Sequence, residues 1–155
     1  MDNFILNVAL GLPGFLLAIV CHEGAHALMA LRYGDDTAKM AGRLTMNPVV
    51  HFDIFGTVVL PLIGAAFGGV MFGWAKPVPV DTRRFTSIRS GMFWVSFAGP
   101  LANIVLALFS AIAYAFMLTQ VTEDFFFYGP FTGMLRQSIL INIVLATFNL
   151  IPFLS

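Results

Sequence analysis

The chain has 155 residues, of which 59% are hydrophobic and only 10% charged; its net charge is zero, and 17 phenylalanines outnumber the 8 lysines and arginines. A soluble domain carries about 25% charged residues, and a chain this short cannot enclose so much apolar side chain, so its solvent is lipid. The lack of basic surplus excludes nucleic-acid binding, and one cysteine, Cys21, excludes an internal disulfide framework.

Stretches free of Asp, Glu, Lys and Arg cover 3–22, 54–75, 90–122 and 137–155, each near or above the ~20 residues that span a bilayer as a helix. The first apolar pattern continues past two histidines to Leu31, predicting one helix over about 4–31 that is kinked at Pro13 and ended by Gly34. It has no basic segment ahead of it, and bulky Val20 precedes Cys21, so it reads as a retained helix rather than a cleaved leader. In 37–53, Arg43, Thr45 and Asn47 alternate with Leu44, Met46 and Val49, which predicts a short strand or hairpin with an edge for an extended peptide.

The next stretch, 54–75, holds Pro61 and five glycines, and reads either as a re-entrant broken hairpin or as a plain transmembrane helix. Seven of the eight basic residues lie in the connections on either side of it. Lys/Arg bias marks the cytoplasmic face, and both connections share that face only if the stretch re-enters. Spans over about 91–118 and 134–152 follow. Between them Glu123 and Asp124 precede the run Phe125, Phe126, Phe127 and Tyr128, an aromatic belt at the far interface or ordinary packing. The expected fold is an all-α integral membrane protein in a single unit over 1–155. It has three to four transmembrane helices, a Gly/Pro-rich segment and a short strand or hairpin connection.

The chemistry concentrates in His22-Glu23-Gly24-Ala25-His26. Residues four apart share a helical face, so both imidazoles can address one ion while Glu23 flanks them. Zinc suits this set: it accepts imidazole, keeps an open position and lowers the pKa of water to about 7, and Glu23 then serves as general base. Ionisable residues inside an apolar helix are costly and usually functional; the alternative is that the histidines only bond to neighbouring helices and Glu23 pairs with a basic residue. His51 offers a third imidazole and Asp53 a carboxylate as further ligands, or His51 is an interfacial or gating residue. Asn103 and Asn149 sit in apolar helices and need partners; they either position a ligand or the scissile peptide or bond between helices, the reading preferred for Asn7 and Asn142. Thr45, Asn47, His51 and Asn149 are candidates to line a water channel.

The motif at 22–26, Leu28 to Ala38, Gly42 to Pro48, Gly73-Trp74-Ala75-Lys76-Pro77-Val78-Pro79-Val80 and Ala98-Gly99-Pro100-Leu101-Ala102-Asn103 together resemble the small bacterial form of the site-2-protease-type intramembrane zinc metalloproteases. The resemblance runs nearly end to end. It implies one zinc per chain, a transmembrane protein as substrate, cleavage within the bilayer in regulated intramembrane proteolysis, and residence in a bacterial cytoplasmic membrane; the Lys/Arg bias, on the re-entrant reading, puts the site nearer the cytoplasmic face. It also implies that Asn103 and Asn149 act at the site. The family's third motif, whose aspartate is the third ligand, starts here with Asn149-Leu150-Ile151-Pro152 and breaks off at Ser155. The chain therefore reads as a fragment, or as a variant that completes the site otherwise. Two readings compete with an active protease: a catalytically silent relative that binds membrane helices, and an ion transporter, disfavoured because no relay of carboxylates follows. Oligomeric state and substrate identity are left open.

Overall fold

The computed structural model describes residues 2–69 and 71–154. Three helices form the body: α1 (Asp2–Arg32), α4 (Ile88–Gln120) and α5 (Tyr128–Leu154), which pack pairwise against one another. All three are long and apolar enough to cross a membrane. Of the most apolar stretch of α4 only 6% is buried inside the protein. So large an exposed apolar surface is stable only against lipid, and the protein is an all-α membrane protein.

The helix α1 runs unbroken through Pro13 and ends where Gly34 takes φ +99°. There the Asp35 amide donates to Ala30 O (2.9 Å) and the Gly34 amide to Leu31 O (3.1 Å), so the last carbonyls of the helix are satisfied by a left-handed glycine turn. The helix α5 begins at Tyr128, earlier than the expected 134, so that Phe125, Phe126 and Phe127 form the connection and Tyr128 opens the helix.

The connection over 37–53 corrects the sequence expectation. It carries a helical turn, α2 (Thr37–Met40), and a 3-10 turn (Pro48–His51), and no strand forms among the described residues. The alternation there lacks a partner strand, and local side chains capture the backbone instead: Asn47 accepts from the Val49 amide (3.1 Å) and Thr45 from the Asn47 amide (3.2 Å). Such local bonds compete with ladders.

The stretch 54–75 breaks as its glycines suggest. A π-helical turn (Ile54–Val59) passes into α3 (Leu60–Ala66). Thirteen helical residues rise only about 20 Å, short of the ~30 Å hydrocarbon core. Gly68 turns the chain with φ +70°, and beyond Val70, which lies outside the described residues, it returns extended over 71–80. The return leg is tied to the outgoing one: the Trp74 amide donates to Gly56 O (3.1 Å), the Lys76 amide to His51 O (2.8 Å) and Thr57 Oγ1 to Trp74 O (2.9 Å). The segment comes back to the end it left, and a plain spanning helix is excluded.

This extended leg is a strap over α1. Phe15, Ala18, Ile19 and Val20 of α1 form one buried core with Ala65, Met71, Ala75, Ile141 and Leu145, joining α1, α3, the strap and α5. Farther along, Val78 packs on Ala27 and Ala38, and Phe85 on Ala30 and Val95. The strap is thus threaded alongside α1 from Phe15 to the helix end.

Candidate metal centre

His22, Glu23 and His26 lie on consecutive turns of α1, and their ligand atoms all fall within 4.8 Å of one another. His22 and Glu23 are buried. Each imidazole is oriented from behind by another element. His26 Nδ1 lies 2.6 Å from Val95 O of α4, and because a carbonyl only accepts, Nδ1 carries the proton. His22 Nδ1 lies 2.5 Å from Asn103 Oδ1. The amide of Asn103 is itself fixed, since its Nδ2 donates to Ala18 O (3.3 Å) and to Asn142 Oδ1 (2.8 Å), while Asn142 Nδ2 donates to Ser138 O (2.9 Å). Its oxygen therefore faces His22, and His22 Nδ1 also carries the proton.

The consequence is a fit test for a metal. With both protons on Nδ1, the two Nε2 atoms present lone pairs to each other at 3.1 Å. Among the described residues no donor is placed between them. Two tetrahedral zinc bonds of 2.0–2.1 Å hold their nitrogens about 3.3 Å apart, so the pair is set for such an ion. Hydrogen bonds that fix the tautomer and ring of metal-ligating histidines are the usual supporting arrangement. Gly99 of α4 makes room: a Cβ there would lie 2.6 Å from His22 Nε2 and nearer still to His26 Nε2.

Glu23 faces the strap, where Oε2 accepts from the Val78 amide at 2.9 Å. The strap is fixed farther on by Asp35, fully buried, whose carboxylate accepts from the amide and hydroxyl of Thr37 and, at 2.7 Å, from the Asp81 amide. Burial alone would raise the Asp35 pKa, but these hydrogen bonds outweigh it and hold the carboxyl below its ordinary 3.8. Arg84 pairs with Asp36, and Arg83 with Asp81 at 2.9 Å.

His51 and Asp53, the alternative third ligands, are engaged elsewhere. His51 is buried with Nε2 3.2 Å from Thr45 O, and Asp53 caps the π-helical turn by accepting from the Gly56 amide at 2.8 Å. Neither joins the cluster, because the 37–53 connection is tied to the return leg of the hairpin, where His51 O accepts from the Lys76 amide and Arg43 donates to Lys76 O and Pro77 O. No third ligand stands beside the pair among the described residues, and Ser155, where the third motif breaks off, lies outside them. Asn149 caps back onto Leu145 O (2.8 Å) and lines both cavities that open on His22 and Glu23. Thr45 lines a different cavity, beside Cys21 and Gly24. Asn142 bonds between helices, to Asn103, as the sequence suggested, whereas sequence reasoning missed the Val95 carbonyl and the Val78 amide, backbone groups that no residue type signals.

Among known proteins, "Putative zinc metalloprotease YwhC" of Bacillus subtilis is 37% identical over 160 aligned residues, covering 98% of this chain and 68% of that protein. "Putative zinc metalloprotease Rip2" of Mycolicibacterium smegmatis is 36% identical over 67% of this chain and 38% of its own length. Rip2 of Mycobacterium tuberculosis is 33% identical over 68% and 38%. No family model and no solved structure matches the chain. Identity at this level over nearly the whole chain, on top of a histidine pair shaped for a metal, means that the chain belongs to the site-2-protease-type family of zinc metalloproteases.

Proposed function

We propose that this protein is an intramembrane zinc endopeptidase that hydrolyses peptide bonds within the transmembrane segments of other membrane proteins. The observation that carries the reading is the pair of facing Nε2 lone pairs at 3.1 Å with a buried carboxylate beside them, inside a helix apolar enough to span a bilayer. His22 and His26 would hold one zinc per chain, and the bound ion would supply Lewis acidity toward water and the scissile carbonyl. Glu23 takes the proton of the attacking water as the C–O bond forms and delivers it to the leaving amine nitrogen as the C–N bond then breaks. Asn103 keeps His22 in its ligating tautomer, and Asn149 stands where its amide can hold the substrate backbone.

A helical peptide bond is shielded by its own turn, so the substrate unwinds at the cleavage point. The extended strap over 71–80, beside Glu23, offers the edge along which an unwound segment lies, in place of the strand expected over 37–53. Basic residues at the C-terminal end of α1 and in the following connections support a site toward the cytoplasmic face of a bacterial membrane.

Elemental analysis and cleavage assays on the detergent-purified protein test this together. Wild type and Glu23→Gln are expected to hold about one zinc per chain and His26→Ala none, with cleavage of a reconstituted transmembrane peptide reduced by at least ~100-fold in both variants. Absence of zinc from the wild type would show that His22 and His26 do not hold the ion with the ligands present in these 155 residues. Zinc without proteolysis would favour a silent relative that binds membrane helices.

A further inference from the structure

Two cavities open on the histidine pair from opposite ends, and His22, Glu23, Pro77 and Asn149 line both. The smaller, about 210 Å³, lies toward the N-terminal half of α1 and is walled by Ile19, Trp74, Ala75 and Leu145. The larger, about 370 Å³, lies past His26 toward the helix end, among Val80, Phe85, Met92 and Val95, with Thr82 and Ser96 adding hydroxyls to its wall. Pro77 of the strap stands between them.

Their spacing matches one peptide bond and its neighbours. From Ile19 to His26 the helix rises roughly 10 Å at ~1.5 Å per residue, which an extended peptide covers in about three residues at ~3.3 Å each. Successive side chains of an extended peptide leave it on opposite sides, so one bond held at Glu23 can send its two flanking side chains into two separate cavities. The cavities differ in size and in chemistry. One is compact and walled by hydrocarbon and an indole; the other has nearly twice the volume, aromatic and thioether walls, and hydroxyls.

Resting on the endopeptidase reading above, we infer that the two cavities are unlike subsites on either side of the scissile bond. The small one takes a compact aliphatic residue no larger than leucine, and the large one a long or aromatic residue such as methionine, phenylalanine or tyrosine. Leu145, which closes the small cavity, and Ser96, whose short side chain leaves the large one open, set the preference. The substrates this selects are transmembrane segments in which a small or branched aliphatic residue adjoins a bulky one at a point where the helix unwinds.

The test is a set of synthetic transmembrane peptides in phosphatidylcholine/phosphatidylglycerol proteoliposomes. Each carries a leucine-alanine span interrupted by Asn-Gly, with Ala, Val, Leu, Met, Phe or Tyr placed on either side, and cut positions and rates are read by mass spectrometry. Rate ratios between peptides are compared, so that a general loss of folded protein cancels. Leu145→Ala is expected to raise the Phe-to-Val ratio on one flank about tenfold, and Ser96→Phe to lower the Phe-to-Ala ratio on the other flank by a similar factor. Both substitutions acting on the same flank, or neither changing any ratio, would overturn the assignment. A wild type that holds zinc and cuts none of the peptides would instead overturn the endopeptidase reading on which it rests.

Discussion

Along α4, the stretch from Gly91 to Asn103 contains six buried residues, Gly91, Val95, Ala98, Gly99, Pro100 and Asn103, whereas no residue from Ile104 to Gln120 is buried. In the second stretch Leu108, Phe109, Ile112 and Phe116 stand 59% to 66% exposed. Both halves are apolar by composition, yet the first is a wall of the metal centre and the second an anchor in lipid. The buried face of the first half carries the small residues Ala98 and Gly99 because two imidazoles approach the backbone there, and Gly99 leaves no room for a methyl group. The second half faces mostly hydrocarbon, which asks for length and apolarity, and it meets α5 through the hydroxyl pair Ser110–Ser138.

Breaking that contrast should be easiest at Gly99. The variant Gly99→Ala is expected to lose zinc by at least ~100-fold in affinity, since its Cβ would lie 2.6 Å from His22 Nε2 and supporting groups at metal sites already carry factors of 10 to 100. Ile112→Ala, in the anchor half, is expected to keep full zinc content. Competition titration with a chromogenic chelator reads both, and a Gly99→Ala protein that binds zinc normally would show that the small residues serve helix packing alone.

A smaller effect is expected at Asn103. Asn103→Ala removes the acceptor that fixes the His22 tautomer and strands Asn142, so zinc affinity should fall by about 10- to 100-fold and stability by roughly 1–3 kcal/mol. Ser110→Ala, which removes only the 2.8 Å bond to Ser138 Oγ lower on the same helix, should cost about 1 kcal/mol and leave zinc untouched. Equal effects of the two on zinc would erase the distinction between the halves.

The smallest effect concerns the strap that faces this wall. Because the Asp35 carboxyl is held below its ordinary 3.8 in the folded protein, its stabilisation is fully present above that pH and is lost as pH falls through the lowered folded value. The thermal midpoint in detergent should therefore drop below about pH 4 in part because Asp35 takes up a proton there. Asp35→Asn should shrink the drop and cost about 1 kcal/mol at pH 7. An unchanged acid limb in this variant would remove Asp35 from the forces that fix the strap.

The long helices were legible because each is a run of apolar residues with a physical stop, such as Gly34 after α1. The broken hairpin was half legible: the glycines and the basic connections favoured a return, but the bonds from Trp74 to Gly56 and from Lys76 to His51 that enforce it join residues far apart in the chain. The strand expected over 37–53 failed because alternation is a property of a segment, while a ladder needs a partner, and Asn47 and Thr45 bound the backbone locally first. His51 and Asp53 looked like ligands by residue type alone, and the course of the chain carried them elsewhere.

The sequence by itself determined that this is a membrane protein of helices and that His22, Glu23 and His26 gather into one cluster on α1, because hydrophobicity and helical spacing are local. It could not say which nitrogen of each imidazole is free. Only the tertiary structure decided that, by setting the Val95 carbonyl and the Asn103 amide behind the two rings. It also laid the strap amide of Val78 on Glu23. Hydrogen bonds between distant segments fix protons and lone pairs, and no spacing along one helix encodes them.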